Sequence, residues 1–323
     1  MRIPFVSSYS LLSRPRVGRR TALALVLVGF CQTFGIGIRA ETVVSHPYPG
    51  VTLATLHETS PRNFTARAVT IDLSTPGLRF RLTPPSGKLE TLRQTTLEFA
   101  RQEKAQLAIN VHFFLPFPSG EPEANLIGLA ASEGKIFSDF EIPAQNYALL
   151  ANAPALNIDR TNHPSLIHPG DSRTDLWTTV SGSAQIVTSG KATVPVYRDE
   201  EHPSGQLTAG GPGKTPFSNK DSWYERQNAR TAIGIADNGR NLVLFVVDRA
   251  AGSLGLTLPE VANLLISQFH VTDALNLDGG GSTTLVMEDP VTHEVTLANA
   301  SSDNPKGRSV GSNLAAFLPV NQQ

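Results

Sequence analysis

Asp278 is followed by Gly279, Gly280 and Gly281 and then by Ser282, Thr283 and Thr284, at the end of the apolar run "ALNL". A carboxylate beside three residues without side chains points to chemistry at the main chain. Glycine adopts positive φ and lets a ligand approach the backbone, at about 0.5–1 kcal/mol per site in regular structure. Successive free amides then form a concavity that suits an anion. A tight turn or a close chain crossing would need the same glycines. Other motif chemistries fit less well. No lysine follows Gly281, which disfavours a P-loop. "GGSTT" lacks the last glycine of a nucleophile elbow, so Ser282 is a weak acyl-transfer nucleophile and a serine hydrolase is the third reading. The chain has no His-Glu-x-x-His or paired-cysteine pattern for zinc.

The elements around this stretch predict how it is held. "RTAIGIADNGRNLVLFVVD" is two apolar runs flanking Asn238-Gly239, a pair favoured in type I′ hairpin turns. "NLVLFVVD" is apolar on both alternating faces and predicts a buried strand that delivers Asp248 to a sheet end. "TLPEVANLL" carries a capping box, Thr257 to Glu260, before helical apolar spacing. Strand, helix and strand make a crossover, so Asp248 and Asp278 are expected at the same end of neighbouring parallel strands. Sites in open sheets gather at such ends. Hard cations favour oxygen ligands, so Asp248 and Asp278 could together hold a divalent cation; nothing in the sequence requires a cofactor, and a metal site is otherwise unknown.

Upstream, "FTARAVTIDLSTPGLRFRLTPP" reads as two strands around a Pro-Gly turn. "LETLRQTTLEFARQEKAQ" puts Leu89, Leu92, Thr96, Phe99 and Ala100 on one helical face and runs into the strand "LAINVHFF". "RDEEHPSGQLTAGGPGKTPFSNKDSWYERQN" is a long surface loop or a linker, and the loop is preferred. "TTLVMEDPVTHEVTLAN" reads as a hairpin around Asp289-Pro290, and "SVGSNLAAFLPV" as a final strand.

Composition sets outer limits. With 40% hydrophobic and 17% charged residues, the 323-residue chain is globular in type. Six of its 27 basic residues, Arg2, Arg14, Arg16, Arg19, Arg20 and Arg39, lie in the first forty positions with no acid. The remainder is acidic on balance, which argues against nucleic acid as a partner. Residues 1–40, with "RPRVGRR", then "TALALVLVGF", then Ala40, read as an export signal rather than an anchor, the apolar stretch being short of the ~20 residues of a span. Cleavage there removes Cys31, the one cysteine. The mature protein is expected to be periplasmic, envelope-bound or secreted, with no stable membrane span. Residues 41–64 read as a lead-in and 65–320 as one domain.

"ALNLDGGGSTTLV" resembles the signature of the phosphodiester glycosidase family. "RTAIGI", "VVD" and a "GLTLPEVA" helix precede it in the family's order. "SGSAQIVTSGK" is similar to the family's Gly-rich hairpin, "AINVHFF" stands where the family has Asn-Gly-Gly-Phe-Phe, and "NASSDNPKGRSVGSNLAAF" resembles the segment with a late arginine. The likeness runs from Thr65 to Leu318. It implies an α+β fold, one domain on extensive mixed, twisted β-sheet with a few flanking helices. It also implies hydrolysis of the bond from anomeric carbon to phosphate oxygen in a sugar 1-phosphodiester, with an N-acetylglucosamine-like sugar of an envelope or capsule glycan as substrate.

Through that resemblance Asp278 and Asp248 become the acid/base or nucleophile pair. Arg230 and Arg308 become phosphate clamps, since guanidinium offers paired donors to phosphate oxygens. Asn110, His112, Ser282, Thr283 and the amides of Gly279, Gly280 and Gly281 complete the expected substrate pocket. Each has a plainer reading: Asp248 capping a turn, Arg230 pairing with an acid, Arg308 solvated, Asn110 bonding backbone. Val111-His112 replaces the family's Gly-Gly. Side chains there would narrow the pocket, His112 could be a substitute proton donor or a hydrogen-bonded strand-end residue, and a non-catalytic carbohydrate- or polymer-binding protein is the alternative.

Overall fold

The apolar alternation of residues 230–247 becomes the centre of a sheet buried on both faces. In the computed structural model, Arg230–Ala236 and Asn241–Val247 pair antiparallel from Arg230↔Val247 to Ala236↔Asn241. Leu242, Leu244 and Val246 enter one apolar core and Val243, Phe245 and Val247 another. Strand side chains alternate between faces, so a run apolar at every position requires cover on both sides. The structure describes residues 41–59, 62–140, 153–197, 203–205, 207 and 222–319, all within one compact unit, Ile38–Gln323.

The eight-stranded sheet runs in the order Glu41–Tyr48, Val51–Glu58, Phe64–Asp72, Asn241–Val247, Arg230–Ala236, Val271–Asn276, Ala184–Thr188, Lys191–Ala192. Two five-stranded sheets lie against its first core: one contains Ala155–Ile158 and Thr178–Ser181, the other Leu107–Asn110, Leu285–Glu288 and Asn313–Phe317. The helix Leu258–Phe269 covers the opposite face, burying Leu258, Val261, Ala262 and Leu265 in the second core. Its capping box at Thr257 and Glu260 is present as expected. The architecture is α+β, with two α-helices among the described residues.

Several expectations change in detail. The strand–helix–strand crossover exists, but Arg230–Ala236 lies between its two strands, which are parallel to each other without being neighbours. The ladders between strands in the described sheets are antiparallel, so the sheet is not mixed in its pairings. Asn238-Gly239 does turn a hairpin, through the four residues between Ala236 and Asn241, with positive φ at Asp237, Asn238 and Gly239, rather than a two-residue turn. The helix Thr96–Glu103 begins late, capped by Thr95, because Leu89 and Leu92 precede the cap and stay exposed. The strands on either side of the Thr75–Gly77 turn enter different sheets instead of pairing. Residues 41–58 form a hairpin of the main sheet. The export-signal reading and most of the 198–228 loop lie outside the described residues.

Candidate active site

Strand direction assembles the site. Asn241–Val247 and Val271–Asn276 end at the edge where the antiparallel Arg230–Ala236 begins, so Asp248, Asp278 and Arg230 reach one edge of the sheet. Asn110, at the end of a strand in another sheet, ties this edge together. Its side-chain amide donates to the Asp278 carbonyl at 2.6 Å, and its Oδ1 accepts from Thr231 Oγ1 and the Thr284 amide, each at 3.0 Å. All of its side-chain polar atoms are used and it is fully buried. Asn110 therefore holds backbone in place instead of offering a hand to a ligand.

Asp278 keeps partial contact with solvent, yet burial pushes its carboxyl up to about 7 against the pull of Ser282, Arg308 and the Gly279 amide. Removing the solvent of a carboxylate raises its pKa, and nearby donors or cations lower it; here removal wins. Arg308 supplies the cation. Its Nε binds Asp303 at 2.7 Å, its Nη1 approaches Ser282 Oγ at 3.4 Å, and its guanidinium lies over Phe117 at 5.0 Å. Ser282 is thus engaged between the Asp278 carboxylate and the Arg308 guanidinium, and among the described residues no histidine hydrogen-bonds it to complete a Ser-His-Asp triad.

The glycines serve geometry more than anion binding. Gly280 takes φ +60, and a Cβ on Gly281 would strike the Arg308 guanidinium and approach Asp303 Cβ at 2.9 Å. The Gly279 amide bonds the Asp278 carboxylate, and the Gly280 amide donates to Ala229 at 2.8 Å. Two of the three expected phosphate donors are therefore already occupied. Thr283, also buried, accepts from Thr231 Oγ1 at 3.3 Å and has its carbonyl held by Asn299.

Asp248 sits differently from Asp278. It is 2% exposed; its Oδ2 receives Arg67 Nη1 at 2.7 Å, and its Oδ1 receives Asn299 Nδ2 at 2.9 Å and the Ala300 amide at 3.2 Å. Both oxygens are committed, so a cation shared with Asp278 would have to displace Arg67. Among the described residues no group of three or more His, Cys, Asp or Glu is placed to hold a metal ion. Asn299 relays the Asp248 carboxylate to the turn, since its Oδ1 also accepts the Leu285 amide at 2.7 Å.

Arg230 projects to the helix side of the sheet, opposite Thr231 and Asn110. It is fully buried, donating to the carbonyls of Leu256 at 3.1 Å and Trp223 at 2.7 Å and over the Trp223 ring at 4.5 Å. Burial pushes its guanidinium down to about 9, and Nη1 has no hydrogen-bond partner. Arg308, and not Arg230, is the arginine acting on Asp278. His112 is likewise inside. Its Nε2 accepts from the Ser181 amide at 3.0 Å and also lies 3.3 Å from the Leu129 carbonyl, its Nδ1 is 2.8 Å from Ser312 Oγ, and burial lowers its pKa to about 4 against the pull of Leu129. A neutral, fully bonded imidazole is not a proton donor to substrate. Val111 packs in the first core, so neither side chain of Val111-His112 narrows an open pocket. Arg67, Asn299, Asp303 and Phe117 are absent from the expected set; Asn299 and Asp303 lie within the "NASSDNPKGRSVGSNLAAF" segment, whose late arginine is the one residue singled out there, while Arg67 and Phe117 are brought in by strand register and loop packing with no local motif.

Residues 103–317 match the family model described as phosphodiester glycosidase. Human N-acetylglucosamine-1-phosphodiester alpha-N-acetylglucosaminidase is 29% identical over 220 residues, 68% of this chain and 38% of that protein. The bovine protein of the same name is 43% identical over 77 residues, 24% of this chain and 13% of its own length. The chain thus spans well under half of these relatives. The zebrafish N-acetylglucosamine-1-phosphodiester alpha-N-acetylglucosaminidase catalytic domain superposes with TM-score 0.55 at 20% identity, covering 87% of this chain and 88% of that one. A protein from Synechocystis superposes at 0.53 with 15% identity, over 88% and 69% of the two chains. These two likenesses speak for the fold. The family model spans well over half of the chain, and the chain belongs to the phosphodiester glycosidase family.

Proposed function

We propose that this protein is an exported glycosidase that hydrolyses the bond between the anomeric carbon and the phosphate oxygen of a sugar 1-phosphodiester, with an N-acetylglucosamine-like sugar of an envelope or capsule glycan as substrate. The observation that carries the reading is Asp278, a carboxyl raised to about 7, beside Arg308 in the glycine turn. When the bond breaks, a phosphodiester with one negative charge becomes a monoester with a second. A guanidinium next to the departing oxygen is favoured most when that charge develops, which is the condition for accelerating the step. Phosphate is a good leaving group, so the carboxylate is needed less as an acid than as the base that takes a proton from the attacking water. Its negative charge also stabilises positive charge on the sugar ring. A base with pKa near 7 is suited to neutral conditions.

In this scheme Asp248 is a positioning residue, holding Arg67 and Asn299 behind the turn, and Arg230 organises the 223–230 segment through its carbonyls. The test is turnover of a panel of N-acetylglucosamine-1-phosphodiesters by the full chain, with free sugar as readout. Turnover lost in Asp278→Asn and strongly reduced in Arg308→Ala supports the scheme. Binding of the panel without turnover by a folded sample would instead support a carbohydrate-binding protein, the reading that Val111-His112 no longer motivates.

A further inference from the structure

A cleft lies away from Asp278, where the turn after Ala155–Ile158 meets the start of Thr178–Ser181. It encloses about 470 Å3 and is lined by Asp159, Arg160, Thr174, Asp175 and Trp177, with Gly134 at its side. That volume is within the ~300–1,000 Å3 usual for small-molecule pockets. Trp177 immediately precedes the strand Thr178–Ser181, whose last residue bonds His112, so the cleft stands about one strand length, ~13 Å at ~3.3 Å per residue, from the His112 end of that strand.

The cleft holds charged groups that keep unused hydrogen-bonding capacity among the described residues. The Arg160 guanidinium carbon lies over the Trp177 ring, 4.1 Å from its centroid, and, among the described residues, Arg160 makes no ion pair. A cation over a ring face is held by the ring quadrupole, and the guanidinium N–H groups, which meet no hydrogen-bond acceptor among the described residues, can donate to a ligand. Asp159 uses Oδ1 for the amides of Thr161 and His163 and the Thr161 hydroxyl. Among the described residues, the Asp175 carboxylate accepts one bond, from Thr174 Oγ1 at 3.3 Å. One cation and two carboxylates line the same cleft, with no ion pair between them among the described residues.

That set selects a ligand class. Two carboxylates against one guanidinium repel phosphate and carboxylate ligands, and the guanidinium works against a metal ion. A molecule presenting adjacent hydroxyls satisfies both kinds of group at once, donating to the Asp oxygens and accepting from Arg160. We infer that the Asp159–Arg160–Asp175–Trp177 cleft is a binding site for a neutral sugar unit, separate from the Asp278 site. The inference stands on the cleft alone and is independent of hydrolysis at Asp278.

The chain has two tryptophans, Trp177 and Trp223. Trp223→Phe in the full chain therefore leaves Trp177 as the one tryptophan, followed with excitation beyond the tyrosine band. Titration with neutral gluco-, manno-, galacto- and N-acetylglucosamine oligosaccharides, followed by emission and by calorimetry, is expected to give saturable binding to at least one series. Arg160→Ala and Asp175→Asn, both at exposed positions, should each weaken it about tenfold or more, as expected for loss of a charge-assisted hydrogen bond. No saturable binding to any series by either readout would overturn the inference, as would binding indifferent to both substitutions. Saturation by calcium or by inorganic phosphate in place of sugars would do the same.

Discussion

Asp278→Asn removes a charge that its surroundings resist, and the size of that resistance can be worked out. The folded carboxyl titrates near 7 and an unfolded one near 3.8. Between those values the native state binds more protons than the unfolded chain, so the group's contribution to stability is complete below about pH 3.8 and is lost as pH rises through 7. At about 1.36 kcal/mol per pKa unit, three units set a ceiling of ~4 kcal/mol; partial exposure of the side chain reduces the expectation to ~2 kcal/mol. Asparagine has no such titration. Asp278→Asn should match the wild type near pH 4 and exceed it by ~2 kcal/mol at pH 8. Urea unfolding of both proteins at pH 4, 5, 6, 7 and 8 measures this difference, and contributions from other titrating groups cancel where they are independent of residue 278. A difference that does not change with pH, or a wild type that gains on the variant as pH rises, would refute the account of Asp278. Activity should move the opposite way: kcat/KM of the wild type rises with pH through about 7 and levels off, whereas a fall across that range would make Asp278 an acid.

His112 titrates in the other sense. Its folded pKa, near 4 against 6.5, means stability is lost as pH drops from 6.5 towards 4, by up to ~3 kcal/mol, and comparison with His112→Asn by urea unfolding should isolate that slope. Arg67→Met strands the Asp248 carboxylate without its cation and should cost about 3–5 kcal/mol; Arg67→Met/Asp248→Asn should recover part of it in a double-mutant cycle. Gly281→Ala pushes the flexible end of Arg308 away, so thermal unfolding should register a loss of roughly 1 kcal/mol while turnover falls as far as in Arg308→Ala.

How much of this was readable beforehand differs residue by residue. Thr257 and Glu260 make a capping box in the sequence and in the fold, because both partners lie within one turn. The alternation in "NLVLFVVD" determined a strand covered on both sides, and the chain order of strand, helix and strand placed Asp248 and Asp278 at one edge. The glycine turn beside Asp278 was visible in the same way. Local chemistry is written in neighbouring residues.

Which groups remain free for a ligand was decided only by the tertiary structure. Asp248 and Asp278 look alike in sequence, but the Phe64–Asp72 strand brings Arg67 against the first, while the second is left with Ser282 and Arg308. Arg230 and Arg308 are both plausible clamps on paper; strand alternation sends one into the helix-side core, and loop packing sets the other beside Asp278. His112 loses its proton-donating capacity to Ser181 and Ser312, which lie 69 and 200 residues away. A side chain's reactivity depends on desolvation and on partners distant along the chain, and those quantities come into existence only when the sheets close on each other.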